Sequence, residues 1–360
     1  MKLGDINVNI LQNLFQVIDN QGKDALGLFE RFGLGDLLQS HPERRISIPR
    51  YMRLGEQAIA LTGRHDIGLL MGEQTRSHHF GLMGLTATMA PTLGDALTTA
   101  IRYERLYSSN SRGHSHITHQ DGRTGFCFYS ISPYNRFNYF VVDAVLGGWL
   151  SLLQEWSGLT SSELAKAGAS IDIEFNRPNY ATNYATGYQR WKLPVYFNAD
   201  GNRLWLPKHL SQQPCLQHNP ITYRQLSLLC EQQLQQILQG RSLAEQVGEI
   251  IAMNLAGQTP TLKQIAHHFN LQPWTLNRQL EAENTHFQHI LDSTRKDLAT
   301  RYIRDTQLSI GEISYLLGFS SSPAFQRAFK RWHGIPAGAF RMQQSKVSTV
   351  REENTISVGA

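Results

Sequence analysis

Cysteine is scarce in this 360-residue chain. The three present, Cys127, Cys215 and Cys230, are odd in number and far apart. They exclude a disulfide framework, a CxxC pair and a Cys-rich zinc site. Long apolar runs are also missing. The most apolar stretch, Phe140 to Leu153, is interrupted by Asp143 and is too short to span a bilayer. Met1 to Leu11 is polar, broken by Asp5, Asn7 and Asn9, and does not read as a signal peptide. No glycine-rich phosphate loop occurs, since Gly33-Leu34-Gly35 lacks a strand-turn-helix setting, and no G-x-S-x-G elbow is found. Glycine (29) and proline (13) are too few for a collagen-like or low-complexity chain. With 41% hydrophobic and 18% charged residues there is enough apolar material for packed cores. These exclusions leave an expectation of a soluble, reduced, cytoplasmic protein of two or three domains, with no cofactor, no metal and no enzymatic activity.

The net charge of +5 is mild, but it is unevenly spread. Residues 241–346 carry 12 Lys/Arg against 8 Asp/Glu, so about a hundred residues hold most of the excess. The same span contains an internal repeat. Thr261 to Leu280 resembles Ser309 to Phe329. Ile265, Phe269 and Leu271 match Ile313, Leu317 and Phe319 at an offset of 48. Leu276, Arg278 and Leu280 match Phe325, Arg327 and Phe329 at an offset of 49. The single length change falls between two short helical patterns.

Each copy reads as helix-turn-helix, over 261–283 and 309–333. In the first, Leu262, Ile265, Ala266 and Phe269 recur at helical spacing behind the N-cap Thr261. Asn270 tolerates the left-handed turn, and Pro273 opens the next helix. In the second, Gly318 takes the turn, and Ser320, Ser321 and Pro323 start the following helix. A tight turn of this kind presents the second helix to a major groove. Between the copies, Phe287 to Asp305 reads as a helix about 28 Å long at 1.5 Å per residue, a spacer close to the roughly 34 Å recurrence of the groove.

On the first reading helix, Trp274, Asn277 and Arg278 share one face, at i, i+3 and i+4. Arg matches the guanine edge, Asn matches adenine, and an aromatic packs on a thymine methyl or a sugar. On the second, Ser321, Ser322, Gln326 and Arg327 face outward. Lys330 and Arg331 follow as phosphate anchors. The second helix is expected to contribute affinity more than selectivity.

Residues 1–219 read as an α+β regulatory domain, helices with a small, mostly antiparallel sheet. Helices are expected at Ile6–Asp19, Ile48–Thr62, Pro91–Tyr107 and Asn138–Trp156. Strands are expected at His114–His119, Gly125–Ile131, Ile171–Phe175 and Val195–Phe197. Thr92 and Asp95 form a capping pair. A Gln-rich helix over 220–240 reads as a connector or a dimer contact. The polar tail 347–360 reads as disordered. Arg102, Tyr103, Tyr107, Phe126 and Phe128 are candidates to line an effector pocket, with core packing the competing reading. His114, His116 and His119 suggest a metal, but strand alternation puts only the first two on one face. The pairs His78-His79 and His267-His268 read as solvated.

From about Leu243 to Gln343 the chain resembles the DNA-binding domain of the AraC/XylS family of bacterial transcription regulators. The resemblance rests on Gly318-Phe319, Ala324-Phe325, Arg327 to Lys330, Gly334-Ile335-Pro336 and Phe340-Arg341. It implies an all-α domain of two helix-turn-helix motifs joined by a linker helix. It also places Trp274, Asn277 and Arg278, then Pro323, Gln326 and Arg327, on base-contacting positions; Pro323 departs from the polar residue more usual there. Gly81-Leu82-Met83-Gly84, Pro91 to Leu97, Val195-Tyr196-Phe197 and Asn202-Arg203-Leu204 resemble the branch with a non-cupin, arabinose-binding-like N-terminal domain. The resemblance implies a regulator, read as an activator, whose partners are double-stranded promoter DNA, RNA polymerase, a small organic effector and a second copy of itself. Two alternatives are a regulator whose N-terminal domain binds a partner protein, and a DNA-repair alkyl acceptor fused to the same DNA-binding domain. The second needs an activated thiolate.

Overall fold

The computed structural model describes residues 4–36, 44–110, 113–131, 134, 138–179, 187–238, 242–306 and 308–343. The tail 347–360 and the last two residues of the connector read over 220–240 lie outside them. The chain divides into two compact units, Gly4–Gln239 and the stretch from Gly240 onward.

The first unit runs β1 (Gly4–Asn7), α1 (Leu11–Asp19), α2 (Ala25–Arg31), β2 (Arg45–Ser47), α3 (Ile48–Thr62), α4 (Ile67–Glu73), α5 (Gly81–Thr88), α6 (Leu93–Arg102) and β3 (Ser108–Asn110). It continues through β4 (His116–Gln120), β5 (Arg123–Phe128), α7 (Tyr139–Ser157), α8 (Ser161–Lys166), β6 (Ser170–Ile173), β7 (Val195–Phe197), β8 (Asn202–Pro207), α9 (Lys208–Ser211) and α10 (Pro220–Leu238). Among the described residues there are two sheets where one was expected. One is antiparallel in the order β2-β1-β3; the other has the order β4-β5-β8-β6-β7, parallel only between β6 and β7.

Helix α3 and strand β7 have the bounds read from the sequence. Two other expectations need correction. The helix expected over Ile6–Asp19 begins as strand β1, because Ile6 pairs with Ile46 and Ser108 on two sides. The helix expected over Pro91–Tyr107 stops at Arg102, giving way to a 3₁₀ turn at Glu104–Leu106 and strand β3. Its start is as read: the Thr92 hydroxyl accepts from the Asp95 amide at 3.1 Å.

Helix α7 is the axis of this unit and is buried on nearly every side. Helix α4 crosses it at glycines. A methyl group on Gly72 would lie 2.8 Å from the Cα of Gly147, so the backbones meet where side chains cannot fit. Asp143, the charge within the apolar run, is buried and accepts a hydrogen bond from the Tyr188 hydroxyl. A charge in this position needs such a partner. Helix α10 packs into this unit through Tyr223, Cys230 and Leu234. Among the described residues no helix is long and apolar enough to cross a membrane.

The second unit is helical, with a core of its own: α11 (Leu243–Met253), α12 (Leu262–His268), α13 (Pro273–Ala282), α14 (Phe287–Asp305), α15 (Ile310–Leu316), α16 (Ser322–His333), and helical residues 337–343. The linker helix has the bounds read from the sequence.

Candidate nucleic-acid interface

The two halves of the repeat are built by the same local physics. Helices α12 and α15 each start at a capping box. The Thr261 hydroxyl accepts from the Gln264 amide at 3.3 Å, while Gln264 Oε1 accepts from the Thr261 amide at 2.7 Å. Ser309 and Glu312 repeat this at 3.1 and 2.7 Å. Each box satisfies two amides that a helix start otherwise leaves unpaired. The turns also correspond: Asn270 and Gly318 have φ of +53° and +63°. Leu276 and Leu280 of α13, like Phe325 and Phe329 of α16, are fully buried.

Burying those faces turns the opposite ones outward. On α13, Trp274 is 65% exposed, Arg278 is exposed and Asn277 is half-buried. The Arg278 guanidinium lies 5.7 Å from the Trp274 ring centre, so the two present one joint surface. On α16, Ser321, Pro323, Gln326, Arg327, Lys330 and Arg331 are exposed and Ser322 is half-buried. Ser321 also caps its helix, its Oγ accepting from the Ala324 amide at 3.4 Å. The offset of 49 pairs Asn277 with Gln326 and Arg278 with Arg327, and pairs Glu281 and Ala282 with Lys330 and Arg331. The second helix therefore carries three cations where the first carries one cation and one anion.

Three supporting residues escaped the sequence reading, and a fourth, Arg341, entered it only as part of a motif. Arg295 of α14 is buried to 9% exposure. Its Nε donates to the Leu317 carbonyl at 2.9 Å and its Nη2 to the Gly318 carbonyl at 2.8 Å and Thr259 Oγ1 at 2.5 Å. Its guanidinium sits 4.6 Å from the Phe319 ring centre. Burial pulls its pKa below the usual arginine value. Thr259 donates to the Gly318 carbonyl at 2.8 Å, joining the entry to the first motif to the turn of the second. Arg341 Nη2 donates to the Leu308 carbonyl at 2.6 Å, and Glu283 accepts the Leu243 and Ala244 amides, both at 2.8 Å. One signal was available: Arg295 interrupts the apolar stripe of Leu291, Leu298 and Tyr302 at helical spacing.

Of the residues suggested for an effector pocket, two contact α10 and three pack within the core of the first unit. Arg102 pairs with Glu231 of α10 at 3.0 Å, and the Tyr103 hydroxyl donates to the Ser227 carbonyl at 3.3 Å. Both thus hold α10 against α6. Tyr107 packs edge-on to Phe80 at 4.8 Å. Phe126 is fully buried, and Phe128 lies against Tyr129 and Trp149. The histidines divide likewise: His114 precedes β4 and sits 2.6 Å from Arg105, and among the described residues no three His, Cys, Asp or Glu side chains form a metal-sized group. All three cysteines are buried, and burial raises each thiol above its ordinary pKa, Cys215 to about 12. That is the reverse of an activated nucleophile.

Comparison with known proteins agrees with this architecture. The profile described as "Arabinose-binding domain of AraC transcription regulator, N-term" matches residues 22–215, and a helix-turn-helix domain profile matches 265–343. An ornithine utilization regulator of Pseudomonas aeruginosa is 25% identical, covering 91% of this chain and 94% of its own. The HTH-type transcriptional regulator VirS of Mycobacterium tuberculosis is 23% identical, covering 95% and 98%. The crystal structure of the transcriptional regulator CdpR from Pseudomonas aeruginosa covers 87% of this chain and 97% of its own at 19% identity, with a TM-score of 0.41. With an N-terminal domain of this type ahead of two helix-turn-helix motifs, the chain belongs to the AraC family of transcription regulators.

Proposed function

We propose that the chain is a cytoplasmic transcriptional activator. Its second unit reads promoter DNA with α13 and α16, and its first unit switches that reading in response to a small organic effector. The observation that carries the DNA reading is the pair of capped motifs with Asn277/Gln326 and Arg278/Arg327 outward at equivalent places. In this reading α13 discriminates bases through Trp274, Asn277 and Arg278. Helix α16 supplies affinity through Arg327, Lys330 and Arg331, with Ser321, Ser322, Pro323 and Gln326 at its leading end. Contact with RNA polymerase and pairing of two copies complete the proposal. Relatives named as activators, CfaD of Escherichia coli and VirF of Shigella flexneri, support activation, although they match only 27% and 29% of this chain. The near-full-length relative named for ornithine utilization supports an effector of metabolic origin.

The test compares Arg278→Ala with Arg331→Ala on a duplex chosen by in vitro selection and on its scrambled counterpart, at two salt concentrations. An arginine–guanine pair is worth about 1–3 kcal/mol of discrimination, so Arg278→Ala should weaken specific binding roughly 5- to 150-fold and relax one base pair. Arg331→Ala should weaken both duplexes alike and flatten the salt slope by about one unit. Equal losses on both duplexes for Arg278→Ala would overturn the groove assignment.

A further inference from the structure

A cleft of about 590 Å³ opens in the first unit between α4, α7, the start of α8 and the 188–192 turn. Its volume falls within the range of small-molecule sites, roughly 300–1,000 Å³. Its lining mixes polar and apolar surface and carries a net positive charge. Glu73 and Arg190 form a two-point ion pair there, at 2.9 and 2.5 Å, and Lys192 stands beside them with no ion-pair partner among the described residues. Ser151, Gln154 and the hydroxyl side chains at 160–162 add donors and acceptors. Trp191 forms part of the wall and is 2% exposed, yet its indole Nε1 has no hydrogen-bond acceptor. A buried N–H without an acceptor costs stability.

We propose that this cleft is the effector site and that it takes a small, acceptor-rich carboxylate, the size of an amino, hydroxy or keto acid. The proposal rests on the effector reading given above. Two features select this class. The excess cation at Lys192 matches a carboxylate. The hydroxyls of Ser151 and of residues 160–162 match a compact ligand dense in oxygen. The position is suited to a switch, because the wall is continuous with the axis of the unit: the 188–192 turn is tied to α7 through Tyr188 and Asp143, and to α4 through Arg190 and Glu73. A ligand that bridges these elements can shift the regulator only through unequal affinity for two arrangements of them.

The experiment uses the full-length chain with calorimetric and thermal-shift readouts. The probes are the protein amino acids, C3–C6 hydroxy, keto and dicarboxylic acids, ribose and arabinose as uncharged polyols, and decanoate as an apolar carboxylate. At least one small carboxylate should bind. Lys192→Ala should weaken it by up to about fivefold, the loss of one ion pair made by an exposed lysine. Ser161→Trp, which puts a large ring into the lining, should abolish it; were that variant to misfold, Lys192→Ala carries the test. Carboxylate binding unchanged in both variants overturns the cleft and leaves the effector reading standing. Ribose, arabinose or decanoate binding, lost in Ser161→Trp while the small carboxylates stay silent, overturns the ligand class alone. Silence of every probe with promoter binding intact overturns this proposal and the effector reading together, without touching the DNA reading.

Discussion

Gly318 is required twice over, once by its backbone and once by its neighbours. Its φ of +63° disfavours any side chain, and a Cβ there would lie 2.2 Å from the Gln258 carbonyl oxygen. Asn270, its counterpart, accepts the left-handed geometry with a side chain in place. Gly318→Ala should therefore cost well over about 2 kcal/mol, and Asn270→Ala about 1 kcal/mol; thermal denaturation of the two variants checks the order. Glu104 supplies a pH prediction. Burial raises its pKa from 4.5 to about 7, against two hydrogen bonds from Ser115 and the charge of Arg105, which lower it. The folded state then holds a proton that the unfolded chain has released. The associated stability is fully present below about pH 4.5 and is lost as pH rises through about 7, by roughly 3 kcal/mol at 1.36 kcal/mol per unit. Glu104→Gln should remove this fall. Melting temperatures of the full chain and the variant, compared at pH 5 and pH 8, should diverge at the higher pH, with the variant the more stable; parallel curves would refute the assignment. Neither Arg295 nor Glu104 was legible in the sequence as a structural partner, because each acts on groups that become neighbours only on folding.

The elements of the second unit were legible because short-range rules define them. A capping box acts over three residues, a left-handed turn over one, and a buried helix face over a few turns. Phe287–Asp305 was readable to the residue: His286 and Thr306 on either side have extended backbones that end the helix. Capping should be measurable. Ser309→Ala removes the acceptor for the Glu312 amide and should cost about 1 kcal/mol. For a unit of this size that lowers the melting midpoint by roughly 4–8 °C. Ser309→Asp, which keeps an acceptor, should retain most of the stability. In the first unit the same rules did less well. Strand β1 has only four residues, and its identity comes from pairing with β2 and β3 some 40 and 100 residues away. Helix periodicity had nothing to set against such partners.

At the scale of the whole molecule, two units with separate cores imply that each half holds together by its own contacts. Residues 241–346 alone should fold into a helical unit that binds DNA, with affinity falling steeply as salt rises, because bound phosphates release their counterions. Circular dichroism and fluorescence anisotropy at several salt concentrations check this; a helical fragment without salt-sensitive binding would contradict it. The sequence by itself determined the paired motifs, their outward residues and the linker between them. Each is written in spacings of a few residues, and a repeat displays them twice. Only the tertiary structure decided that Arg102 and Tyr103 hold α10, that Arg295 ties one motif's turn to the other's entry, and that Glu73 meets Arg190 across 117 positions at the mouth of a cleft. The physical reason is one of range: helix caps and turns are set by neighbours along the chain, while a buried charge or a cavity is set by whatever distant segments pack around it.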